Sequence, residues 1–237
     1  MEIRKHIPNT VTSMNLVCGI IGVIFAFNGR IDLAFPMMLL AAVFDFLDGF
    51  VARALNAYSS MGKELDSLCD LVSFGVLPSV MLYNLMTQCL FVSEWYCYIP
   101  LIITLFSALR LAKFNVDDRQ HESFLGLATP SSAMICGSLS YYIAFTPSSV
   151  LATWAAGPFF IPILSVVLSA LLVCEIPMFS LKGKFKGALG MKLLTLVVLV
   201  AIVIALMVFR HMNWSFAVLS AFVLYILSNI VYAIAKV

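Results

Sequence analysis

Four aspartates fall within one short stretch of the chain, Asp45–Asp70, which reads DFLDGFVARALNAYSSMGKELDSLCD. They are Asp45, Asp48, Asp66 and Asp70, and the sequence on either side is strongly apolar. A carboxylate close to a bilayer is costly unless it is compensated, so an ionisable residue in a membrane segment indicates a functional site. Four carboxylates so close in sequence need a common partner, and a cation is the simplest one.

The residue types favour a hard divalent cation. Mg²⁺ and Mn²⁺ prefer oxygen ligands and often complete their shell with substrate phosphate. Zinc is expected to recruit histidine or cysteine, but His6, His121 and His211 lie far away in the sequence, and the six cysteines are scattered without a CxxC pair. The stretch therefore predicts a site that binds two divalent cations, Mg²⁺ or Mn²⁺, and performs phosphoryl transfer.

Helical geometry places the polar residues of this stretch on two faces. One helix presents Asp45, Asp48, Gly49, Ala52 and Arg53 on the same side. The next helix presents Ser59, Gly62, Asp66, Asp70 and Ser73, provided that it already includes residue 59. The small residues at 49 and 52 leave room for a ligand near the backbone, and the arginine suits phosphate. The two faces can enclose one site.

The elements that must position this site are membrane helices. The chain has 237 residues, of which 62% are hydrophobic and 11% are charged, and its mean hydropathy is +1.05. Soluble domains carry about 25% charged residues, so the composition predicts a single integral membrane domain over residues 1–237. The net charge of +2 is too small to indicate nucleic acid as a partner.

Apolar runs separated by short polar turns predict an all-α bundle of about eight transmembrane spans. Short linkers imply antiparallel neighbours, and at this hydrophobicity only helices satisfy every backbone group in lipid. Six spans would form a core over residues 1–174, and a basic loop with two further spans would occupy 175–237. The predicted spans lie at about 11–28, 31–52, 65–90, 95–113, 130–147, 150–174, 188–209 and 213–235.

The distribution of lysine and arginine orients this bundle. With the N-terminus in the cytoplasm, twelve of the fourteen basic residues fall in inner segments, and only Arg30 and Arg210 fall in outer ones. Such a bias is the positive-inside pattern of membrane proteins. It predicts that both termini are cytoplasmic and that all four aspartates lie near the cytoplasmic boundary.

The spacing of the stretch resembles a known signature. The pattern Asp45-x2-Asp48-Gly49-x2-Ala52-Arg53-x8-Gly62-x3-Asp66-x3-Asp70 is similar to the complete motif of the CDP-alcohol phosphotransferase family. The resemblance implies an integral membrane enzyme, usually a homodimer, that displaces CMP from a CDP-linked alcohol with a second alcohol. It further implies that the four aspartates ligate two metal ions and that Asp70 is also the base. Gly49, Arg53 and Ser59 would bind the CDP part of the donor.

Two stretches outside the motif bear on the acceptor alcohol. Residues 7–19, IPNTVTSMNLVCG, and 107–130, SALRLAKFNVDDRQHESFLGLATP, resemble segments of the membrane-integral bacterial CDP-diacylglycerol–serine O-phosphatidyltransferases. The chain departs from that pattern at Lys113 and at Ala128-Thr129. The resemblance implies transfer of phosphatidyl from CDP-diacylglycerol to L-serine at the bacterial inner membrane, with the active site facing the cytoplasm.

Four further residues have a functional and a simpler interpretation. Arg110 and Lys113 share one helix face and could bind the serine carboxylate or the donor phosphate, or they could be basic anchors at the membrane boundary. Asn9 and Thr12 could contact the nucleotide of CDP-diacylglycerol or cap a helix.

Two alternative functions fit the sequence less well. A different acceptor, glycerol 3-phosphate or an inositol phosphate, would need a basic pocket that Arg110, Lys113 and Arg119 could form. A cation-coupled transporter commonly shows repeated halves, whereas this acidic cluster occurs once.

Overall fold

The computed structural model describes residues 3–88, 93–117, 124–178 and 213–235, together with residues 197, 200, 201, 204 and 205. This part is helical except for one antiparallel pair of two-residue strands, β1 (Phe124–Leu125) and β2 (Pro177–Met178). The all-α prediction is confirmed for the described residues, with that small exception. The predicted span 188–209 falls almost wholly outside them.

Nine α-helices are defined in the described part. Two non-α segments join the series: a π-helical segment, Leu71–Val76, and a 3₁₀ segment, Glu94–Leu101. The α-helices are α1 (Ile3–Phe27), α2 (Ile31–Ala54), α3 (Ser60–Asp70), α4 (Leu77–Thr87), α5 (Ile102–Val116), α6 (Thr129–Phe145), α7 (Val150–Ala155), α8 (Phe160–Val173) and α9 (Trp214–Ala235).

Several of these helices are long and apolar enough to cross a membrane. Within the described residues there are five: His6–Phe27, Ile31–Ala54, Ser60–Thr87, Glu94–Val116 and Trp214–Tyr232. Helices α6 and α8 are shorter, with 17 and 14 residues. The chain is therefore an integral membrane protein. The total of eight spans and the cytoplasmic placement of the termini stay predictions.

The predicted span 150–174 is wrong as a single helix. The chain forms α7 and α8 instead, and the break between them contains Gly157 and Pro158. Proline lacks the backbone N–H and disfavours helical geometry in the residue before it. Ser149 starts α7 as its N-cap, with its hydroxyl accepting from the Ala152 N–H at 3.2 Å.

Successive connections between helices gather at two opposite ends of the bundle. At one end, Lys63 Nζ donates to the Asn115 carbonyl at 3.2 Å, and Lys113 pairs with Glu175 at 3.3 Å. The strand pair lies at this end too, because β1 and β2 adjoin these connections. At the other end, a cavity of about 310 Å³ is lined by residues of three other connections or helix ends, among them Gly29, Gln88 and Pro147. The helices therefore alternate in direction. The aspartates lie at the end that holds the Lys63–Asn115 and Lys113–Glu175 contacts.

Candidate active site

Three of the four aspartates form one compact cluster. Asp45 and Asp48 lie one turn apart on α2, and Asp66 comes from α3; one carboxylate oxygen of each lies within 4.8 Å of those of the other two. Asp48 is only 8% exposed, and its Oδ2 has no hydrogen-bond partner among the described residues. A buried carboxylate with two half-buried carboxylates of like charge beside it is stabilised by a cation between them. The all-oxygen donor set fits Mg²⁺ or Mn²⁺.

The turn between α2 and α3 brings Asp66 to this cluster. Asn56 has a φ of 49°, a left-handed conformation that asparagine tolerates better than most residues. Ser59 is extended and its hydroxyl accepts from the Gly62 N–H at 2.9 Å. Ser59 is therefore the N-cap of α3 and not a residue of the helix, so its predicted place on the α3 face is corrected. Capping by serine stabilises a helix start.

Asp70 lies beside the cluster and is held from α1. Its carboxylate Oδ1 accepts a hydrogen bond from Asn15 Nδ2 at 3.2 Å, and Asn15 is fully buried. The Ser73 hydroxyl in turn donates to the Asn15 carbonyl at 3.1 Å. Asp70 interacts electrostatically with Asp45, Asp48 and Asp66. All four predicted metal ligands are thus neighbours, with three in one close group and Asp70 at its edge.

The helix changes type directly after Asp70. Residues Leu71–Val76 form a π-helical segment that continues into α4. Such segments are frequent at functional sites, and they shift the residues that follow them around the helix axis. Ser73 belongs to this segment and contacts α1 through its hydrogen bond to Asn15.

A cavity of about 210 Å³ opens next to the three clustered aspartates. Four of the five residues predicted to bind CDP-diacylglycerol line it: Asn9, Thr12, Gly49 and Ser59. The fifth, Arg53, does not line the cavity, but its guanidinium lies next to Gly49, with Nη1 3.4 Å from where a Cβ at that position would stand. The Thr12 side chain is buried and lies beside the Asp48 carboxylate. The clustered carboxylates and the cavity therefore adjoin.

Arg110 and Lys113 have different surroundings, although they share a helix. Arg110 is 8% exposed, its Nη1 donates to the Thr129 hydroxyl at 3.4 Å, and its guanidinium lies 5.3 Å from the centre of the Phe114 ring. Asp70 attracts it electrostatically. Lys113 instead pairs with Glu175 in a partly exposed ion pair. The structure therefore buries Arg110 against Thr129 and Phe114 and leaves Lys113 paired with the segment after α8.

Sequence reasoning missed several residues that support the site. Asn15 was detectable as a polar residue in an apolar helix, within a segment already singled out. Lys63 lines the cavity but had been counted only as a topological charge. Asn115 joins α5 to α3, because its Nδ2 donates to Ser67 Oγ at 3.0 Å and to Glu64 Oε2 at 3.3 Å. Only the folded chain reveals that last link.

Comparison with known proteins identifies the family. The sequence model of one family, CDP-alcohol phosphatidyltransferase, matches residues 5–162. The chain belongs to the CDP-alcohol phosphatidyltransferase family. The match includes the whole aspartate stretch, and the resemblance inferred from that stretch is confirmed. A CDP-alcohol phosphatidyltransferase acts on a CDP-linked alcohol, which agrees with a cavity beside clustered carboxylates.

Individual members of the family that resemble this chain have more specific names. The chain is 35% identical over 137 residues to the CDP-diacylglycerol–serine O-phosphatidyltransferase of Bacillus subtilis, covering 58% of this chain and 76% of the relative. It is 35% identical over 180 residues to the enzyme of the same name from Mycobacterium leprae, covering 73% and 57%. It is 32% identical over 134 residues to the archaetidylserine synthase of Methanothermobacter thermautotrophicus, covering 56% of each. The match spans less than two thirds of the length of the last two.

Proposed function

We propose that this protein transfers the phosphatidyl group from CDP-diacylglycerol to the hydroxyl of L-serine, giving phosphatidylserine and CMP. The observation that carries the proposal is the group formed by Asp45, Asp48 and Asp66 beside Asp70, facing a cavity in a member of this family. Serine as the acceptor is supported by the names of the relatives, which include serine transferases from bacteria and an archaetidylserine synthase from an archaeon.

The metal-binding residues in this proposal are the four aspartates, which hold two Mg²⁺ or Mn²⁺ ions. When bound, such ions neutralise the charge of the donor's diphosphate. The buried Asp48 oxygen that has no hydrogen-bond partner among the described residues supports this assignment. Asp70 remains available at the edge of the cluster, with Asn15 fixing its orientation.

The reaction itself needs one proton acceptor and one leaving group. Asp70 accepts the proton of the serine hydroxyl, whose oxygen forms a bond to the phosphorus that carries diacylglycerol. The bond from that phosphorus to the bridging diphosphate oxygen breaks, and the electron pair leaves with CMP. General base catalysis of this kind requires the base within hydrogen-bond reach of the hydroxyl.

The donor and the acceptor approach this centre from two sides. Asn9, Thr12, Gly49 and Ser59 line the cavity that would receive the CDP part, and Arg53 lies at its edge next to Gly49. The acyl chains remain in the bilayer. Arg110 binds the acceptor's carboxylate, because it is a buried cation whose Nε has no hydrogen-bond partner among the described residues. Lys113 contributes less to acceptor binding, since it already pairs with Glu175.

The setting of the enzyme completes the proposal. It is a homodimer in the bacterial inner membrane, and its active site faces the cytoplasm, where serine and CMP exchange. Membership of an enzyme family argues against the alternative of a cation-coupled transporter. The choice among acceptors is the part that an assay must decide.

The decisive experiment measures CMP release. Purified protein with CDP-diacylglycerol and Mg²⁺ or Mn²⁺ should release CMP when L-serine is added, and much less with glycerol 3-phosphate or inositol phosphate. Removal of divalent cations by EDTA should stop the reaction, and added Mn²⁺ should restore it. CMP release that followed another acceptor would overturn serine as the substrate while leaving the family's chemistry intact.

Two variants separate the roles of the aspartates. Asp70→Asn should abolish turnover without unfolding the protein. Asp48→Asn should raise the Mn²⁺ concentration needed for half-maximal activity, because it removes a charged ligand. Asp32→Asn is the matched control, since Asp32 lies at the far end of α2 in an exposed pair with Arg30. Near-normal turnover by Asp70→Asn would contradict its role as the base.

A further inference from the structure

Lys63 is a basic residue of α3 that lines the cavity beside the aspartates. Asp48 and Asp66 line the same cavity. Among the described residues that line it, Lys63 alone carries a positive charge. The proposed occupant is the CDP part of a lipid, and its diphosphate is an anion. Lysine is a common binder of phosphate, so the wall of the cavity offers this anion one fixed cation.

The Lys63 side chain also contacts the end of α5. Its Nζ donates to the Asn115 carbonyl at 3.2 Å. Asn115 lies in the last turn of α5, where backbone carbonyls have no partner within the helix. An ammonium has three N–H donors, so this bond leaves donors for a second acceptor. Lys63 is exposed and forms no ion pair with another described residue, so its charge is available to a ligand.

Asn115 is itself fastened to α3. Its Nδ2 donates to Ser67 Oγ at 3.0 Å and to Glu64 Oε2 at 3.3 Å. The Ser67 hydroxyl in turn donates to the Lys63 carbonyl at 3.3 Å. These bonds hold the end of α5 against the part of α3 that carries Lys63, so the carbonyl that receives the ammonium has a fixed position. A binding group that is held in advance loses less entropy when the ligand arrives.

The surroundings of Lys63 on α3 connect it to both parts of the proposed donor site. Asp66 is three residues further along, and residues at this spacing are neighbours on a helix surface. On the other side, a Cβ at Gly62 would stand 3.0 Å from Ser59 Oγ and 3.1 Å from Asn9 Oδ1. A lysine in the first turn of a helix opposes the helix dipole. The stability of α3 therefore does not explain a basic residue at this position.

We propose that Lys63 is a donor-binding residue whose ammonium binds the diphosphate of CDP-diacylglycerol, and that Asn115 positions it for this contact. This inference rests on the proposed function for the identity of the donor. Bound metal ions would neutralise part of the same charge, and Lys63 adds a cation that belongs to the protein. Helix α5 then serves both substrates, the acceptor through Arg110 and the donor through Asn115.

The test measures CDP binding to the purified protein in Mn²⁺ by isothermal titration calorimetry. Lys63→Met keeps the length of the side chain and removes its charge. It should raise the Kd for CDP about tenfold, as expected for the loss of a hydrogen bond from a charged group. Lys63→Arg keeps the charge and should stay within about threefold of the wild-type Kd. Arg30→Met is the control, because it removes a basic side chain at the opposite end of the bundle, and it should bind CDP as wild type does.

Thermal unfolding separates ligand binding from a purely structural role. If Lys63 served only the carbonyl at the end of α5, Lys63→Met would lower the unfolding midpoint and leave the Kd for CDP unchanged. That result would overturn the inference, and so would an equal rise in Kd for Arg30→Met. Lys63→Gln is measured alongside and decides the question by the same comparison should Lys63→Met yield no folded protein.

A double variant tests the part of Asn115. Asn115→Leu removes both amide bonds to α3 but keeps the carbonyl that Lys63 contacts, and it should raise the Kd for CDP about threefold. In a Lys63→Met background the same change should add little, because residues that act together are not additive. Full additivity would show that Asn115 does not act through Lys63.

The outcomes also separate this inference from the proposed function. If wild type binds CDP but releases no CMP with L-serine, the proposed function fails, and the comparison of Kd values still decides the role of Lys63. If wild type releases CMP with serine and Lys63→Met binds CDP as tightly as wild type, the inference alone fails. Absence of CDP binding by wild type would overturn both.

Discussion

At the scale of residues, the aspartates of this chain lie in different surroundings. Asp48 is buried, and its Oδ2 has no hydrogen-bond partner among the described residues, which suits the proposed role of metal ligand. Asp70 is buried too, but an amide N–H from another helix holds it. At the far end of α2, Asp32 is exposed and paired with Arg30. Environment, and not residue type, therefore distinguishes the proposed metal ligand, the proposed base and the surface ion pair.

Asn15 is the residue on which the orientation of Asp70 depends most directly. Asn15→Leu removes the 3.2 Å hydrogen bond to the Asp70 carboxylate, and we expect kcat to fall about tenfold, since a hydrogen bond to a charged group contributes about 1.5–3 kcal/mol. The KM for CDP-diacylglycerol should change much less, because Asn15 does not line the cavity. Steady-state CMP release measures both constants.

The control for this prediction is Asn28→Leu, which alters an exposed asparagine just after the C-terminal end of α1. It should leave kcat at the wild-type value. Asn15→Gln keeps the amide and should recover part of the activity. If Asn15→Leu retained wild-type kcat, Asp70 would not depend on its amide.

At the scale of elements, the site depends on how closely α1 approaches the π-helical segment. A Cβ at Gly19 would stand 2.3 Å from the Ser73 hydroxyl oxygen and 3.0 Å from its Cα. Glycine thus lets the two helices touch where Ser73 bonds to Asn15 and Asn15 bonds to Asp70. The position of the candidate base, Asp70, therefore depends on how closely α1 packs against this segment.

Gly19→Ala should therefore reduce both stability and activity. The added methyl group has to displace the backbone at Ser73, and overpacking of this kind costs about 1–3 kcal/mol. Thermal unfolding in detergent should show a lower midpoint, and kcat should fall because Asp70 shifts. Gly22→Ala is the control, since the atoms nearest to its Cβ would be side-chain atoms and not a neighbouring backbone: Leu77 Cδ2 at 2.6 Å, Leu77 Cδ1 at 3.2 Å and Met37 Cβ at 3.3 Å. Equal losses for both variants would refute the argument.

The sequence predicts the site's short-range features better than its long-range ones. Asp45 and Asp48 were expected on one face because a single helix fixes their spacing. The closer grouping of Asp66 than of Asp70 depends on how α3 crosses α2, and no local pattern encodes that crossing. Arg110 and Lys113 look equivalent in sequence, yet packing buries one and leaves the other in a partly exposed ion pair.

The boundaries of helices are likewise difficult to predict from local sequence. The break at Gly157 and Pro158 had a local signal, but the length of the apolar run favoured one long span over two short helices. The π-helical segment after Asp70 had no recognisable signal in the sequence, and the hydrogen bond from Ser73 to Asn15 of α1 is visible only in the folded chain.

At the scale of the whole molecule, charge differs between the two ends of the bundle. The end that holds the aspartates also carries Arg53, Lys63 and Lys113. At the opposite end, the described residues include one basic side chain, Arg30. Its Nε and Nη2 donate to the two carboxylate oxygens of Asp32 at 2.9 and 2.8 Å, so its charge is neutralised locally. Basic residues accumulate on the cytoplasmic side of membrane proteins. The charge pattern therefore favours an active site that opens to the cytoplasm.

This orientation can be tested by labelling single cysteines in right-side-out membrane vesicles. Asn28 and Ser60 are both exposed and lie at opposite ends of the bundle. In a background with Cys89→Ser and Cys174→Ser, a membrane-impermeant maleimide should label Asn28→Cys at once and Ser60→Cys only after permeabilisation. The background protein, whose described cysteines are buried, should stay unlabelled. The reverse pattern would place the aspartates on the outer face, where cytoplasmic serine could not reach Asp70, and the proposed reaction would then lose its route for the acceptor.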